Sequence, residues 1–257
     1  MIIKNAKVYS DGCRFVEKDL IIREGRIVFG AAPQEGEDVI DAGGAYALPG
    51  LVDIHFHGAV GHDFCDADEA GLQAIADFEA SKGVLAICPA TMTFSEEILN
   101  GIMDVAAAHK NEHGAEVELI SDHVHIHPAM VRFTFNTFGD DHVILIADSA
   151  MSCGLPDGQY SLGGQAITVK GPLATLTEHM DTIAGSNTCL YDCMKRAVLE
   201  MDVPLESAVR AASENPARSI GIDNDYGSLA AGRYGNVILA DQALNIKAVY
   251  QKGIRIV

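Results

Sequence analysis

The chain has 257 residues, enough for one large domain, and 48% of them are apolar. Its formal net charge of -18 argues against a nucleic-acid partner and favours solubility or a bound cation, although an acidic surface alone would also explain it. No apolar run approaches a membrane span, and a basic-then-apolar signal segment is absent, so we expect a cytoplasmic protein with no membrane partner. We expect the six dispersed cysteines to be reduced.

Both ends of the chain alternate like short strands separated by glycine-containing turns. The strand-like segments are residues 2–8, 19–22, 26–29 and 38–40 at one end and residues 236–240, 246–250 and 254–257 at the other. We expect residues 1–48 and 227–257 to pair into one small β-sandwich-like subdomain, which would place the two termini side by side.

The segment between these ends, residues 49–226, alternates strands with helices. Strands are predicted at residues 51–54, 84–89, 117–121 and 143–147, helices at 69–81, 93–109, 129–138, 190–201 and 205–212, and a loop with hairpin elements at 154–186. Because a complete eight-unit barrel takes about 250 residues, this segment can supply only about four β/α units. We therefore predict an α/β fold, a partial (β/α) TIM-type barrel plus the terminal subdomain.

Two histidines, His55 and His57, follow the short apolar run that begins at Leu51. If this run is a strand that includes both, their side chains project from the same face and make half of a divalent metal site. A pair of histidines at a strand end can also be solvated or bonded to carbonyls. The metal interpretation gains support because the C-terminal ends of buried parallel strands carry the chemistry of α/β barrels.

Further candidate catalytic and metal-binding residues follow the later predicted strands. Asp148 ends the apolar strand 143–147, where it could act as a general acid/base or cap the following loop. His123, His125 and His127 would share one face if their segment is a strand, a row typical of metal binding.

Several motifs together resemble the N-acetylglucosamine-6-phosphate deacetylase family of the amidohydrolase superfamily. They are residues 49–58 (PGLVDIHFHG), 122–128 (DHVHIHP), 144–149 (ILIADS), 182–186 (TIAGS) and 215–218 (NPAR). The resemblance runs in order over nearly the whole chain. In that family a Glu-Gly-Pro motif and two further metal-ligand histidines would lie between Lys110 and Val117. Their absence implies a barrel that lacks strands three to six.

The resemblance also implies roles for individual residues. It implies a divalent metal, Zn²⁺ first with Fe²⁺ and Mn²⁺ as alternatives, held by His55, His57 and Asp148, and it makes Asp148 the general acid/base. It implies that the substrate is contacted by Asp122, His123, Val124, His125 and the backbone of Ile183, Ala184 and Gly185. The family has glycine at the position of His123, so the histidine row is a departure from its pattern.

Three functions remain open at this point. The resemblance implies a metal-dependent amidohydrolase that converts N-acetylglucosamine 6-phosphate, an amino-sugar phosphate, to acetate and glucosamine 6-phosphate. The alternatives are a catalytically silent sugar-phosphate-binding or assembly protein and an amidohydrolase with another amide substrate. Because a four-strand piece would expose two parallel edges, we also expect a homodimer that pairs two half-barrels.

Overall fold

The computed structural model describes residues 1–66, 68–90 and 117–257. The strands are β1 Ile2–Ser10, β2 Arg14–Arg23, β3 Arg26–Val28, β4 Val39–Asp41, β5 Tyr46–Pro49, β6 Leu51–Asp53, β7 Gly58–Ala59, β8 His62–Asp63, β9 Val84–Ile87, β10 Val117–Ile120, β11 Val143–Ile146, β12 Gly158–Leu162, β13 Gln165–Lys170, β14 Leu173–Leu176, β15 Ile183–Ser186, β16 Val237–Ala240, β17 Ile246–Gln251 and β18 Ile254–Arg255. The helices are α1 Glu69–Ser81, α2 Pro128–Phe138, α3 Leu190–Met201, α4 Leu205–Ala212 and α5 Glu214–Ser219, with a 3₁₀ turn at Phe64–Asp66.

The bounds predicted for α1, α3 and α4 are confirmed. The predicted helix at 93–109 lies outside the described residues. Helix α1 begins where it does because the Asp68 carboxylate accepts hydrogen bonds from the backbone N–H groups of Ala70 and Gly71, which have no partner within the helix.

Both ends of the chain enter one eight-stranded sheet, in the order β18-β17-β16-β5-β1-β2-β3, with β4 beside β1. Strand β5, which the sequence pattern did not reveal, joins the two ends because it pairs with β1 and with β16. One face of the sheet presents Leu48 and Ile238 to the main core, and the other face presents Ala47 and Val237 to a separate apolar cluster. The pairing of the ends agrees with the sequence, and a separate subdomain stays a prediction.

Two pairs of parallel strands lie outside this sheet. Strand β6 pairs with β9 across helix α1, and β10 pairs with β11 across helix α2. The pairs meet where β6 and β11 end, because the backbone N–H of Asp148 donates to the carbonyl of His55 at 2.9 Å. Strand β6 stops at Asp53, one residue before the predicted end, so His55 and His57 lie in the irregular segment after it.

A histidine row at residues 123–127 required a strand, and that condition is not met. This segment is not a strand, and His123 has a left-handed backbone with φ of 67°. His127 instead caps helix α2, since its ring accepts the backbone N–H of Ala129 at 3.2 Å and Pro128 begins the helix. Proline is favoured at the first position of a helix, because its fixed φ suits a helix and no N–H is needed there.

Residues 154–186 contain more regular structure than a loop with hairpin elements. Strands β12 to β15 form a four-stranded antiparallel sheet, and Ile183, Ala184 and Gly185 belong to β15. All six cysteines are free, as predicted. Among the helices in the described ranges, none is both long and apolar enough to cross a membrane.

Candidate metal centre

Three side chains converge where β6 and β11 end. The ligand atoms of His55, His57 and Asp148 all lie within 4.8 Å of one another, and this is the one group of its kind in the described parts of the chain. The Nε2 atom of His57 is 3.2 Å from an Asp148 carboxylate oxygen, and the Nε2 atom of His55 is 3.8 Å from the same oxygen. Two imidazole nitrogens and one carboxylate are an ordinary ligand set for a divalent metal.

The other ring nitrogen of each histidine already has a partner. Nδ1 of His55 lies 2.8 Å from the Glu118 carboxylate, and Nδ1 of His57 lies 3.1 Å from the carbonyl oxygen of Ala90. Both partners accept hydrogen bonds, so the proton of each neutral ring belongs on Nδ1 and the Nε2 lone pair faces Asp148. The residues therefore fit a metal ion in their hydrogen bonding as well as in their chemistry.

The backbone around Asp148 fixes its position. Strand β11 is buried along its whole length and delivers Asp148 two residues after its end. Asp148 has a left-handed φ of 48°, and its carbonyl accepts the N–H of Ser186 at 3.1 Å. A non-glycine residue held in this conformation is uncommon and is compatible with a functional constraint.

Asp53, the last residue of β6, is buried and lies two residues before His55. One of its carboxylate oxygens accepts the backbone N–H of His55 at 3.2 Å, and within the described residues the other oxygen has no hydrogen-bond partner. Burial, followed by the nearby Glu79 carboxyl, raises the pKa of Asp53 well above its usual range. Its contact with His55 is to the backbone, so it supports the loop that carries the ligands.

Asp122 and His125 form a second constellation. The Asp122 carboxylate accepts the backbone N–H groups of Val124 and His125 and contacts Nδ1 of His125 at 2.8 Å. Burial pushes the pKa of Asp122 upward, but these hydrogen bonds outweigh burial and the pKa is lowered. The Asp122 contact is the largest cause that raises the pKa of His125, and Asp148 adds a smaller electrostatic effect in the same direction. His125 therefore interacts electrostatically with Asp148 of the candidate metal centre.

The remaining predicted site residues differ in how near they lie to Asp148. Strand β15 lies beside the segment that contains Asp148 through a bridge between Ser149 and Ser186, so Gly185, the residue before Ser186, lies next to Asp148. His123 pairs instead with Glu200 at 2.7 Å on the surface. Sequence reasoning missed Glu118, although a charged residue inside the apolar strand β10 was a signal that could have singled it out.

The sequence profile of the "Amidohydrolase family" matches residues 90–255. N-acetylglucosamine-6-phosphate deacetylase of Caenorhabditis elegans is 30% identical over 145 residues, which are 56% of this chain and 34% of that protein. The Vibrio furnissii enzyme of the same name is 33% identical over 137 residues, which are 53% of this chain and 34% of that protein. The chain thus spans about a third of the length of these curated relatives.

The fold has solved counterparts. A crystal structure of N-acetylglucosamine-6-phosphate deacetylase from Pasteurella multocida superimposes with a TM-score of 0.88 at 14% identity and covers 100% of this chain and 99% of that one. The shared fold is the mixed α/β fold of the TIM-barrel superfamily. Because the profile matches more than half of the residues and the fold agrees, the chain belongs to the amidohydrolase family.

Proposed function

We propose that this protein is a metal-dependent deacetylase that hydrolyses the N-acetyl amide of an amino-sugar phosphate, N-acetylglucosamine 6-phosphate. The observation that carries the proposal is the convergence of His55, His57 and Asp148, with both histidines oriented through Nδ1. The names of the relatives support the substrate, because C. elegans and V. furnissii proteins that align with half of this chain are deacetylases of that sugar phosphate.

His55, His57 and Asp148 would hold the metal ion, for which Zn²⁺ is the first choice and Fe²⁺ and Mn²⁺ are alternatives. A bound divalent ion of this kind polarises the amide carbonyl and makes a water molecule acidic near neutral pH. Three protein ligands of this kind would leave room at the ion for water or substrate.

Asp148 supplies the proton transfer. A carboxylate at this position can take a proton from the attacking water and give it to the leaving amine nitrogen. The Nε2 atom of His125 remains for the substrate because its Nδ1 is occupied by Asp122. The raised pKa of His125 favours its protonated form, which donates from Nε2 to the carbonyl oxygen or to a sugar hydroxyl.

The sugar would lie between the loop that follows β10 and strand β15. We propose that Asp122, His123 and Val124 line one side and that the backbone of Ile183, Ala184 and Gly185 lines the other. Support comes from strand β15, which is hydrogen bonded to the segment after Asp148: the N–H of Ala150 donates to the Ser186 carbonyl at 2.9 Å.

The test is acetate release from N-acetylglucosamine 6-phosphate by protein loaded with Zn²⁺, with Fe²⁺ and Mn²⁺ in parallel. Wild type should release acetate and the His55→Ala variant should not. Activity on N-acetylglucosamine without phosphate separates an amino-sugar-phosphate enzyme from one with another amide substrate. Substrate binding without acetate release would contradict the proposal and favour a silent binding protein.

We also propose a division of the chain into two parts. Residues 49–226 form a partial barrel of about four β/α units, and residues 1–48 and 227–257 form a small β-subdomain. The two parallel pairs and their junction at Asp148 support this division.

Six free cysteines support a reducing compartment such as the cytoplasm.

A homodimer that pairs two half-barrels would cover the open edges. In the described ranges β9 pairs only with β6 and β10 pairs only with β11. Helix α2 also exposes Met130, Phe133 and Phe138, with 51%, 57% and 47% of each residue accessible. Sedimentation should give a dimer, and a stable, non-aggregating monomer would contradict this arrangement.

A further inference from the structure

We propose that Glu118 is a positioning residue of the metal centre: its carboxylate holds the His55 ring in the tautomer and orientation that direct Nε2 to the metal. The inference rests on the proposed metal site and adds a residue that neither motif nor resemblance identifies. The contact that carries it is the 2.8 Å hydrogen bond between Nδ1 of His55 and the Glu118 carboxylate.

Glu118 links two strand pairs of the fold at the candidate metal centre. Glu118 lies on β10, in register with Ile144 of β11, the strand that delivers Asp148. Its side chain reaches His55, which is 63 residues earlier and follows β6. One carboxylate therefore connects the strand pair that carries the aspartate with the strand pair that carries the histidines.

The chemistry of the contact is directional. A neutral imidazole has one N–H and one lone pair, and a carboxylate can only accept a hydrogen bond. Glu118 therefore favours the form of His55 with its proton on Nδ1 and its lone pair on Nε2, the nitrogen nearest Asp148. A carboxylate behind a ligand histidine also makes the ligand more basic, and losing such a partner typically weakens metal affinity by about 10–100-fold.

The structure contains a matched pair that lacks this role. Nδ1 of His123 lies 2.7 Å from Glu200, and the two side chains are 43% and 46% exposed. The His55 and Glu118 side chains are 38% and 42% exposed, so the two contacts are alike in length and solvent access. Of the two histidines His55 and His123, only His55 belongs to the converging ligand set of the described residues. Glu200→Ala is therefore the control for Glu118→Ala.

The experiment measures Zn²⁺ affinity by chelator competition and the His55 tautomer by ¹⁵N NMR of the metal-free protein above pH 8. Glu118→Ala should weaken Zn²⁺ binding by about 10–100-fold and remove the preference for the proton on Nδ1. Glu118→Gln should retain part of both, because its amide oxygen still accepts the bond. Glu200→Ala should leave Zn²⁺ affinity within about two-fold of wild type if the effect depends on the position of His55.

A purely structural role predicts a different result. Glu118→Ala would then change the thermal midpoint by the small amount of an exposed ion pair and leave affinity and tautomer as in wild type, which would overturn the inference. If the wild-type protein bound no Zn²⁺, the proposed function would fail. The tautomer in the metal-free protein would still decide the inference, because an unchanged tautomer in Glu118→Ala overturns it.

Discussion

Two histidine-rich regions of this molecule differ in how their side chains are directed. At residues 55–57, two rings turn their Nε2 atoms toward the same carboxylate of Asp148. At residues 123–127, three rings diverge: His123 contacts Glu200, His125 contacts Asp122 and His127 caps a helix. The second region has more histidines, yet the first region has the geometry of a metal site.

The difference shows that a metal site depends on convergent lone pairs rather than on the number of histidines. Imidazole is useful in many ways because it donates from one nitrogen and accepts at the other. In both regions each ring uses Nδ1 for a partner and lies on irregular backbone. Among the described residues, only the first region adds two Nε2 atoms that face one carboxylate. Four predictions test this contrast, from the largest expected effect to the smallest.

Metal content should separate the two regions completely. The His57→Ala variant should lose its bound metal, because two ligand side chains no longer suffice for a zinc site. The His123→Ala variant should retain about one zinc per chain, as in wild type. Elemental analysis of the purified proteins measures both. Loss of metal in His123→Ala but not in His57→Ala would reverse the assignment of the regions.

Proton transfer should depend on Asp148. The Asp148→Asn variant cannot exchange protons between water and the leaving amine, so its turnover of N-acetylglucosamine 6-phosphate should fall by about 10²–10⁴-fold. Acetate release at saturating substrate measures this loss. Asp77→Asn, an exposed change on helix α1, is the control and should retain turnover. Equal turnover in both variants would remove the acid/base role from Asp148.

The Asp122 and His125 pair should give a pH-dependent stabilisation. Because the pKa of His125 is raised, its contribution is complete below the usual histidine pKa of 6.5 and is lost as pH rises through its folded pKa. Asp122, whose pKa is lowered, contributes above its usual 3.8 and loses this contribution as pH falls through its folded pKa.

Replacing Asp122 by Asn should therefore lower the pKa of His125 in an NMR titration. It should also cost about 1–3 kcal/mol of unfolding free energy near pH 6, because a buried acceptor of three hydrogen bonds is changed. Urea unfolding at pH 6 and pH 9 measures the difference between the variants, which should shrink at the higher pH. An unchanged His125 pKa would contradict the pairing.

The smallest effect is expected at His127. The His127→Ala variant removes the cap of helix α2 and should cost about 0.5–2 kcal/mol, while His127→Ser should recover most of this stability. The midpoint of urea unfolding measures the change. Metal content should be that of wild type in both variants. A loss of metal here would restore the predicted row of ligands.

Much of the local structure could be predicted from the sequence. The helices at residues 69–81, 190–201 and 205–212 follow from apolar periodicity and from end signals that act within a few residues. The pair His55 and His57 was also visible, because a short motif after an apolar run needs no knowledge of distant residues. Predictions that depended on assigning a strand to a short segment were less successful: residues 122–127 are irregular and β6 ends early.

The sequence by itself determined most secondary-structure elements, the pairing of the two ends and the two candidate ligand histidines, since propensity and periodicity are local properties. Only the tertiary structure decided which groups meet those histidines. Asp148 lies 91 residues after His57 and Glu118 lies 63 residues after His55, and both come from the other strand pair, β10 and β11. Hydrogen bonds between the ends of separate strands set this convergence, and no local pattern encodes the distance between such side chains.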